Sequence, residues 1–193
     1  MKGEKLLLFD FDGVIVDGMN EYWHSSLLAC KFYLKSKYIC SDININLRTP
    51  NVFISLRPWI KYGWEMVIVT HEIIKSNNPL TSDNKNIFLA NYQENCTEII
   101  KRNSWNRENL QKFLDQARKL QISNNFEQWI SLYDPFMEVV KFIKCAKKDG
   151  YKIGIITTKG KLFTQKILKK IDINPDFLYG YESGSKTEII ASL

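Results

Sequence analysis

Asp10 and Asp12 stand two residues apart at the end of the apolar run Leu6-Leu7-Leu8-Phe9. On an extended backbone that spacing points both carboxylates to one side, while Phe11 between them points away into packing. One carboxylate can attack an electrophile while its neighbour handles a proton. Attack by an aspartate on a phosphate ester gives an aspartyl phosphate and divides hydrolysis into two easier displacements. Two anions meet in that encounter, and a hard cation such as Mg²⁺, held by Asp10 and Asp12, offsets their repulsion. Asp12 then protonates the leaving alcohol and later activates the hydrolytic water. A lone Asp-x-Asp pair is also a common turn or capping arrangement. What sharpens this one is its setting: an apolar strand before it, Gly13 directly after it, and Asp17 beyond.

The elements that must position these residues follow from the hydrophobic pattern. Lys5 to Phe11 reads as a strand, its unbroken apolar run suggesting cover on both faces of a parallel sheet. A helix is expected over about Asn20 to Lys37 and a loop at Asn44, Asn46, Pro50 and Asn51. Pro58 suits the first turn of a helix running through Trp59 to Lys75. Within it, Met66-Val67-Ile68-Val69-Thr70 has the composition of a buried strand, but helix is preferred. Ser76 to Asn86 reads as a loop. Helical patterns recur near Ile87 to Arg102, Arg107 to Ile122 and Phe126 to Leu132, until Asp134-Pro135 marks a boundary. Phe136 to Lys148 is an amphipathic helix ended by Asp149-Gly150, Lys152 to Thr158 a buried strand, Lys161 to Ile171 a helix, Asp176 to Tyr181 a third strand, and Thr187 opens a last helix. Strands alternating with helices imply an α/β fold with a parallel sheet, whose ligand site lies beyond the carboxyl ends of the strands.

The string Asp10-x-Asp12-Gly13-Val14-Ile15-Val16-Asp17 resembles the first motif of the haloacid dehalogenase superfamily, whose members are mostly phosphatases and phosphomutases. The second acid, Asp12, matches the phosphotransfer branches rather than the true dehalogenases. Ile153-Gly154-Ile155-Ile156-Thr157-Thr158-Lys159-Gly160 resembles the second motif, an apolar strand ending in a hydroxyl residue. A hydroxyl and successive backbone N–H groups at a strand-to-helix turn make an anion site, aided by the positive end of the following helix. The resemblance makes Thr157 and Thr158 phosphate ligands, with Gly13 beside them, and makes Lys186 in Gly184-Ser185-Lys186-Thr187 the lysine that neutralises nucleophile and phosphate, although many relatives carry proline where Thr187 stands. The acidic fourth motif finds no match before Leu193.

What the resemblance implies is a three-layer Rossmann-like core, residues 1–17 and 136–193, with residues 18–135 inserted as a helical cap hinged at Asp17-Gly18 and Tyr133-Asp134-Pro135. It implies a Mg²⁺-dependent phosphohydrolase acting on a small phosphomonoester. A phosphomutase using the same residues, and a non-catalytic binding protein lacking the fourth motif, are the alternatives. Without a flanking strand, Leu6 to Phe9 would form an uncovered apolar edge open to self-association.

Bulk properties agree with a packed soluble protein: 193 residues, 45% hydrophobic and 13% aromatic. The net charge of +6 comes from scattered lysines such as Lys147-Lys148 and Lys169-Lys170 and carries no nucleic-acid signature. Leu6 to Phe9 is too short for a membrane span or leader, so a cytoplasmic location is expected. Cys30, Cys40, Cys96 and Cys145 lack paired spacing and read as reduced core thiols. Trp59, Trp64, Trp105 and Trp129 read as core packing, and His24 and His71 as structural.

Overall fold

A computed structural model describes residues 5–34 and 48–192. In chain order the elements are β1 (Leu6–Phe9), β2 (Val16–Asp17), α1 (Met19–Ala29) followed by a wider π turn (Cys30–Leu34), α2 (Asn51–Leu56), α3 (Gly63–Ile74), α4 (Lys85–Ala90), α5 (Tyr92–Arg102), α6 (Arg107–Asn124), α7 (Phe126–Ile130), β3 (Asp134–Pro135), α8 (Met137–Lys148), β4 (Lys152–Ile156), α9 (Lys161–Lys170), β5 (Phe177–Tyr179) and α10 (Lys186–Ala191). No helix among the described residues is long and apolar enough to cross a membrane.

The chain divides into two compact units, Met1–Gly18 with Tyr133–Leu193, and Met19–Leu132. The first is an α/β unit. Its sheet has the order β1-β4-β5, parallel throughout, with Phe9 opposite Ile155 and Ile155 opposite Leu178. Parallel neighbours need crossover connections, and α9 supplies the one between β4 and β5. Ile153, Ile155, Ile143, Phe163 and Ile167 are buried in its core. β2 and β3 form a separate antiparallel ribbon, Val16 opposite Pro135 and Asp17 opposite Asp134.

β1 departs from the strand covered on both faces that its composition suggests. Phe9 packs edge-on to Phe142 of α8, with ring centroids 6.3 Å apart. Leu6 and Leu8, on alternate positions and hence on the other face, are 37% and 38% exposed. The reason lies in the sheet order. β1 stands at an edge, and its Leu8 side chain folds over Gly154 of β4, where an added Cβ would fall 2.5 Å from Leu8 Cδ2. Leu6–Phe9 also ends sooner than expected, so that Asp10 begins a turn.

The second unit is helical. α1 and α3 are buried on nearly all sides, α1 through Tyr22, Trp23, Leu27 and Leu28 and α3 through Met66, Val67, Ile68 and Val69. A helix apolar all round shows no stripe, which is why the Met66–Thr70 stretch has a strand's composition and yet lies in mid-helix. Glu65 caps the start of α3: its carboxylate accepts from the Lys61 and Tyr62 amides at 2.6 and 3.2 Å.

Other expectations are corrected here. Asn51 opens α2 instead of lying in a loop, because Val52, Phe53 and Leu56 bury a helical face. Pro58 sits in a short 3₁₀ turn, Arg57–Trp59, ahead of α3 rather than inside it. The helix expected over 87–102 is two, broken at Asn91 (φ −132°, ψ 48°). Trp59 is 42% exposed, unlike buried Trp64 and Trp129. Cys30 and Cys96 are buried thiols, but Cys145 is exposed. Cys40, Asn44, Asn46 and the expected end of the first helix lie outside the described residues.

Candidate active site

The turn after β1 is built by the residues around Gly13. The amides of Ile15 and Val16 return to the Phe11 carbonyl at 2.9 and 3.3 Å, and the Gly13 amide donates to the Val16 carbonyl at 2.8 Å. Gly13 has φ +82°, a conformation that side-chain-bearing residues rarely adopt. Its role is thus to shape the turn, and its N–H is engaged within it. Phe11 and Ile15 are fully buried, so the turn is pinned from beneath while Asp10 and Asp12 face the strand end.

The two acids occupy different surroundings. The Asp10 side chain is 41% exposed; one oxygen accepts the Phe11 amide at 2.7 Å and the other lies 2.8 Å from Lys186 Nζ. Asp12 is only 7% exposed at the side chain, and its Oδ1 lies 3.5 Å from Lys159 Nζ. Lys186 reaches Asp10 from the first turn of α10. The Ser185–Glu188 capping box fixes that turn, with the Ser185 hydroxyl accepting the Glu188 amide at 3.2 Å and the carboxylate accepting the Ser185 amide at 2.9 Å. The Ser185 amide, and then the Ser185 hydroxyl donating at 2.7 Å, hold the Glu188 carboxyl below its usual range.

Thr157 follows β4 directly, and parallel pairing of Phe9 with Ile155 brings the two strand ends side by side. Buried Thr157 donates its amide to the Tyr179 carbonyl at 2.9 Å, and its hydroxyl accepts the Lys159 amide at 3.0 Å. Thr158 next to it is partly exposed.

The structure therefore pairs Asp10 with Lys186 and Asp12 with the Thr157–Lys159 turn, all at the carboxyl ends of adjacent strands. The amino end of α9, expected to help bind an anion, already carries one: both oxygens of Glu182 lie within 3.3 Å of the Lys161 amide. Gly180 makes room for this, since a Cβ there would overlap the Glu182 carboxylate and the Lys161 backbone nitrogen.

Lys159 is the residue the pattern did not single out. In sequence it is one loop lysine in a chain that is rich in them, and its only distinguishing mark is its place two residues after Thr157 and directly before Gly160.

The donor set suits Mg²⁺, which binds through one or two carboxylates and fills its octahedron with water and substrate phosphate. Asp10 and Asp12 offer hard oxygens of that kind, and among the described residues no group of three or more acidic, histidine or cysteine side chains gathers in one place.

The family model for haloacid dehalogenase-like hydrolases matches residues 4–191. Among solved structures, a haloacid dehalogenase-like family hydrolase from Streptococcus pneumoniae superposes with TM-score 0.54 at 16% identity, covering 100% of this chain and 69% of that one. A candidate phosphatase from Clostridium difficile gives TM-score 0.49 at 16% identity, with 100% and 69% of the two chains covered. No curated protein matches the sequence.

Proposed function

Since the chain belongs to the haloacid dehalogenase-like hydrolases, we propose that it hydrolyses a small phosphomonoester through an aspartyl phosphate formed on Asp10. The observation that carries this reading is the division of the two carboxylates. Asp10 is part-exposed, at 41% of its side chain, and paired with Lys186 at 2.8 Å, whereas Asp12 is buried beside Lys159. A nucleophile must reach the substrate, and a proton-transfer group gains from a fixed, water-poor setting.

Asp10 attacks phosphorus through a carboxylate oxygen, and the ester oxygen leaves with the proton that Asp12 gives it. Water then attacks the acyl phosphate while Asp12 takes its proton, so Asp10 is regenerated and orthophosphate released. Lys186 holds the transferring group as a compact positive charge. The Thr157 hydroxyl, whose oxygen accepts the Lys159 amide, donates its hydrogen to a phosphoryl oxygen, and Thr158 offers a second hydroxyl. Gly13, at φ +82°, shapes the turn that follows Asp10. Mg²⁺ held by Asp10 and Asp12 supplies charge neutralisation between nucleophile and phosphate when bound.

Phosphate release from a panel of phosphomonoesters, with Mg²⁺ and with EDTA, tests the reading. Asp10→Asn is expected to lose activity by about 10³-fold or more, as removal of a covalent nucleophile does. Hydrolysis by that variant at the wild-type rate would refute the assignment.

A further inference from the structure

Lys159 has no assigned task in the chemistry above, yet it is among the largest side chains that are fully buried. Enclosing an ammonium is costly unless an opposite charge or a polar partner offsets the lost hydration. Its surroundings supply such partners. The Nζ lies 3.5 Å from Asp12 Oδ1 and 5.2 Å from the centre of the Tyr133 ring, within reach of a cation–π contact. Its backbone is held on both sides: the amide donates to the Thr157 hydroxyl at 3.0 Å, and the carbonyl accepts the Tyr181 amide at 3.3 Å. The Asp12 oxygen it faces is walled by Gly18, where an added Cβ would stand 2.8 Å from Oδ1 and 3.2 Å from Tyr133 Cε1.

We propose that Lys159 is a positioning residue for Asp12, locking the orientation of the carboxylate through which the proton passes. The inference rests on the acid/base reading of Asp12 given above. The two lysines of the site divide by access. Lys186 is 38% exposed and meets the more accessible acid, where a substrate phosphate arrives; Lys159 is at 0% and meets the enclosed one. An enclosed ammonium cannot swing out to follow a phosphate, so its contribution is to hold its neighbour still. Proton transfer is steep in geometry, and a displacement of about 1 Å can cost about 10²-fold. Because Lys159 is joined through its own amide to the Thr157 hydroxyl, it also sets the spacing between proton donor and phosphate ligand.

A double-mutant cycle on Lys159→Met and Asp12→Asn, assayed with para-nitrophenyl phosphate and Mg²⁺, tests this. Lys159→Met is expected to lower kcat by about 10- to 100-fold with KM within about twofold, and Lys159→Gln to recover part of the loss. The double variant should match Asp12→Asn within about twofold, since a residue acting only through Asp12 has nothing left to position. Multiplying losses in the double variant, or a Lys159→Met effect confined to KM, would overturn the proposal. Asp12→Asn at wild-type rate would instead overturn the acid/base reading itself. A readout free of turnover accompanies these rates. In ¹³C-aspartate-labelled protein that melts at the wild-type temperature, the Asp12 carboxyl resonance should move on Lys159→Met, and an unmoved line would count against the contact.

Discussion

The helical unit stakes much of its stability on one enclosed ion pair, and its two halves are not equally replaceable. Glu21 of α1 and Arg118 of α6 are at 0% and 1% exposure at the side chain, joined by Nε to Oε1 at 2.8 Å and Nη2 to Oε2 at 3.2 Å. Removing one member of such a pair strands the other charge away from water, at about 3–5 kcal/mol. The neighbours then set where in that range each variant falls. If Glu21 becomes Gln, Arg118 keeps Asp115 at 3.3 Å and the Tyr22 ring at 5.0 Å, so a loss of about 3 kcal/mol is expected. If Arg118 becomes Met, Glu21 keeps the Ser25 hydroxyl at 2.6 Å, a neutral donor, and the loss should approach about 5 kcal/mol. Urea unfolding followed by circular dichroism measures both. With a slope of about 1–3 kcal/mol per molar, each midpoint falls by about 1 M or more. The double variant Glu21→Gln/Arg118→Met carries neither charge, so its loss should undercut the sum of the singles by about 2 kcal/mol or more. Additive losses to within about 0.5 kcal/mol, or an Arg118→Met variant milder than Glu21→Gln, would refute the reasoning.

Two glycines should separate sharply under the same substitution. Gly180→Ala drives a methyl into the Lys161 backbone and the Glu182 carboxylate and should cost about 1–3 kcal/mol in urea unfolding, whereas Gly154→Ala meets only the movable end of half-exposed Leu8 and should cost less than about 1 kcal/mol. At Glu72, burial alone would push the carboxyl up, but hydrogen bonds and charge from His71 and Lys75 outweigh it and hold the group below its ordinary 4.5. A depressed carboxyl contributes stability above its unfolded value and loses it as the pH falls through the folded one; Glu72→Gln should therefore flatten the stability curve below about pH 5 in unfolding measured from pH 7 to 3. Burial raises the Cys30 thiol and pushes Cys96 up to about 12, so peptide mapping after brief maleimide treatment should find Cys145 labelled and those two protected until the protein is unfolded.

How far the fold was legible depended on how local its causes are. Asp10, Asp12 and Thr157 could be placed because a strand that ends in a turn announces itself through apolar residues followed by Gly13 or by a polar pair. The alternation of strand and helix after Asp134 likewise followed from period and punctuation, and the structure puts α8, β4, α9, β5 and α10 within a residue or two of where the pattern does. What escaped were effects of the third dimension. Asn51 carries a turn residue's composition, and only the burial of Phe53 and Leu56 makes that segment helical. Lys159 is chemically identical to its solvated fellows until the fold encloses it against Asp12. Glu182 lies 21 residues from Lys161, whose amide it occupies at the start of α9, so no spacing rule could have seated it there.

That seating bears on selectivity among anions. With a carboxylate already resting on the first amide of α9, the proposed substrate phosphate would be met by discrete lysine and hydroxyl groups more than by the diffuse field of a helix end. Contacts of the partly exposed Lys186 weaken as mobile ions crowd in, on a length of about 8 Å at physiological ionic strength. On the proposed chemistry, capture of a phosphomonoester should therefore soften with added salt, while turnover, which that reading assigns to the enclosed Asp12–Lys159 pair, holds nearly constant.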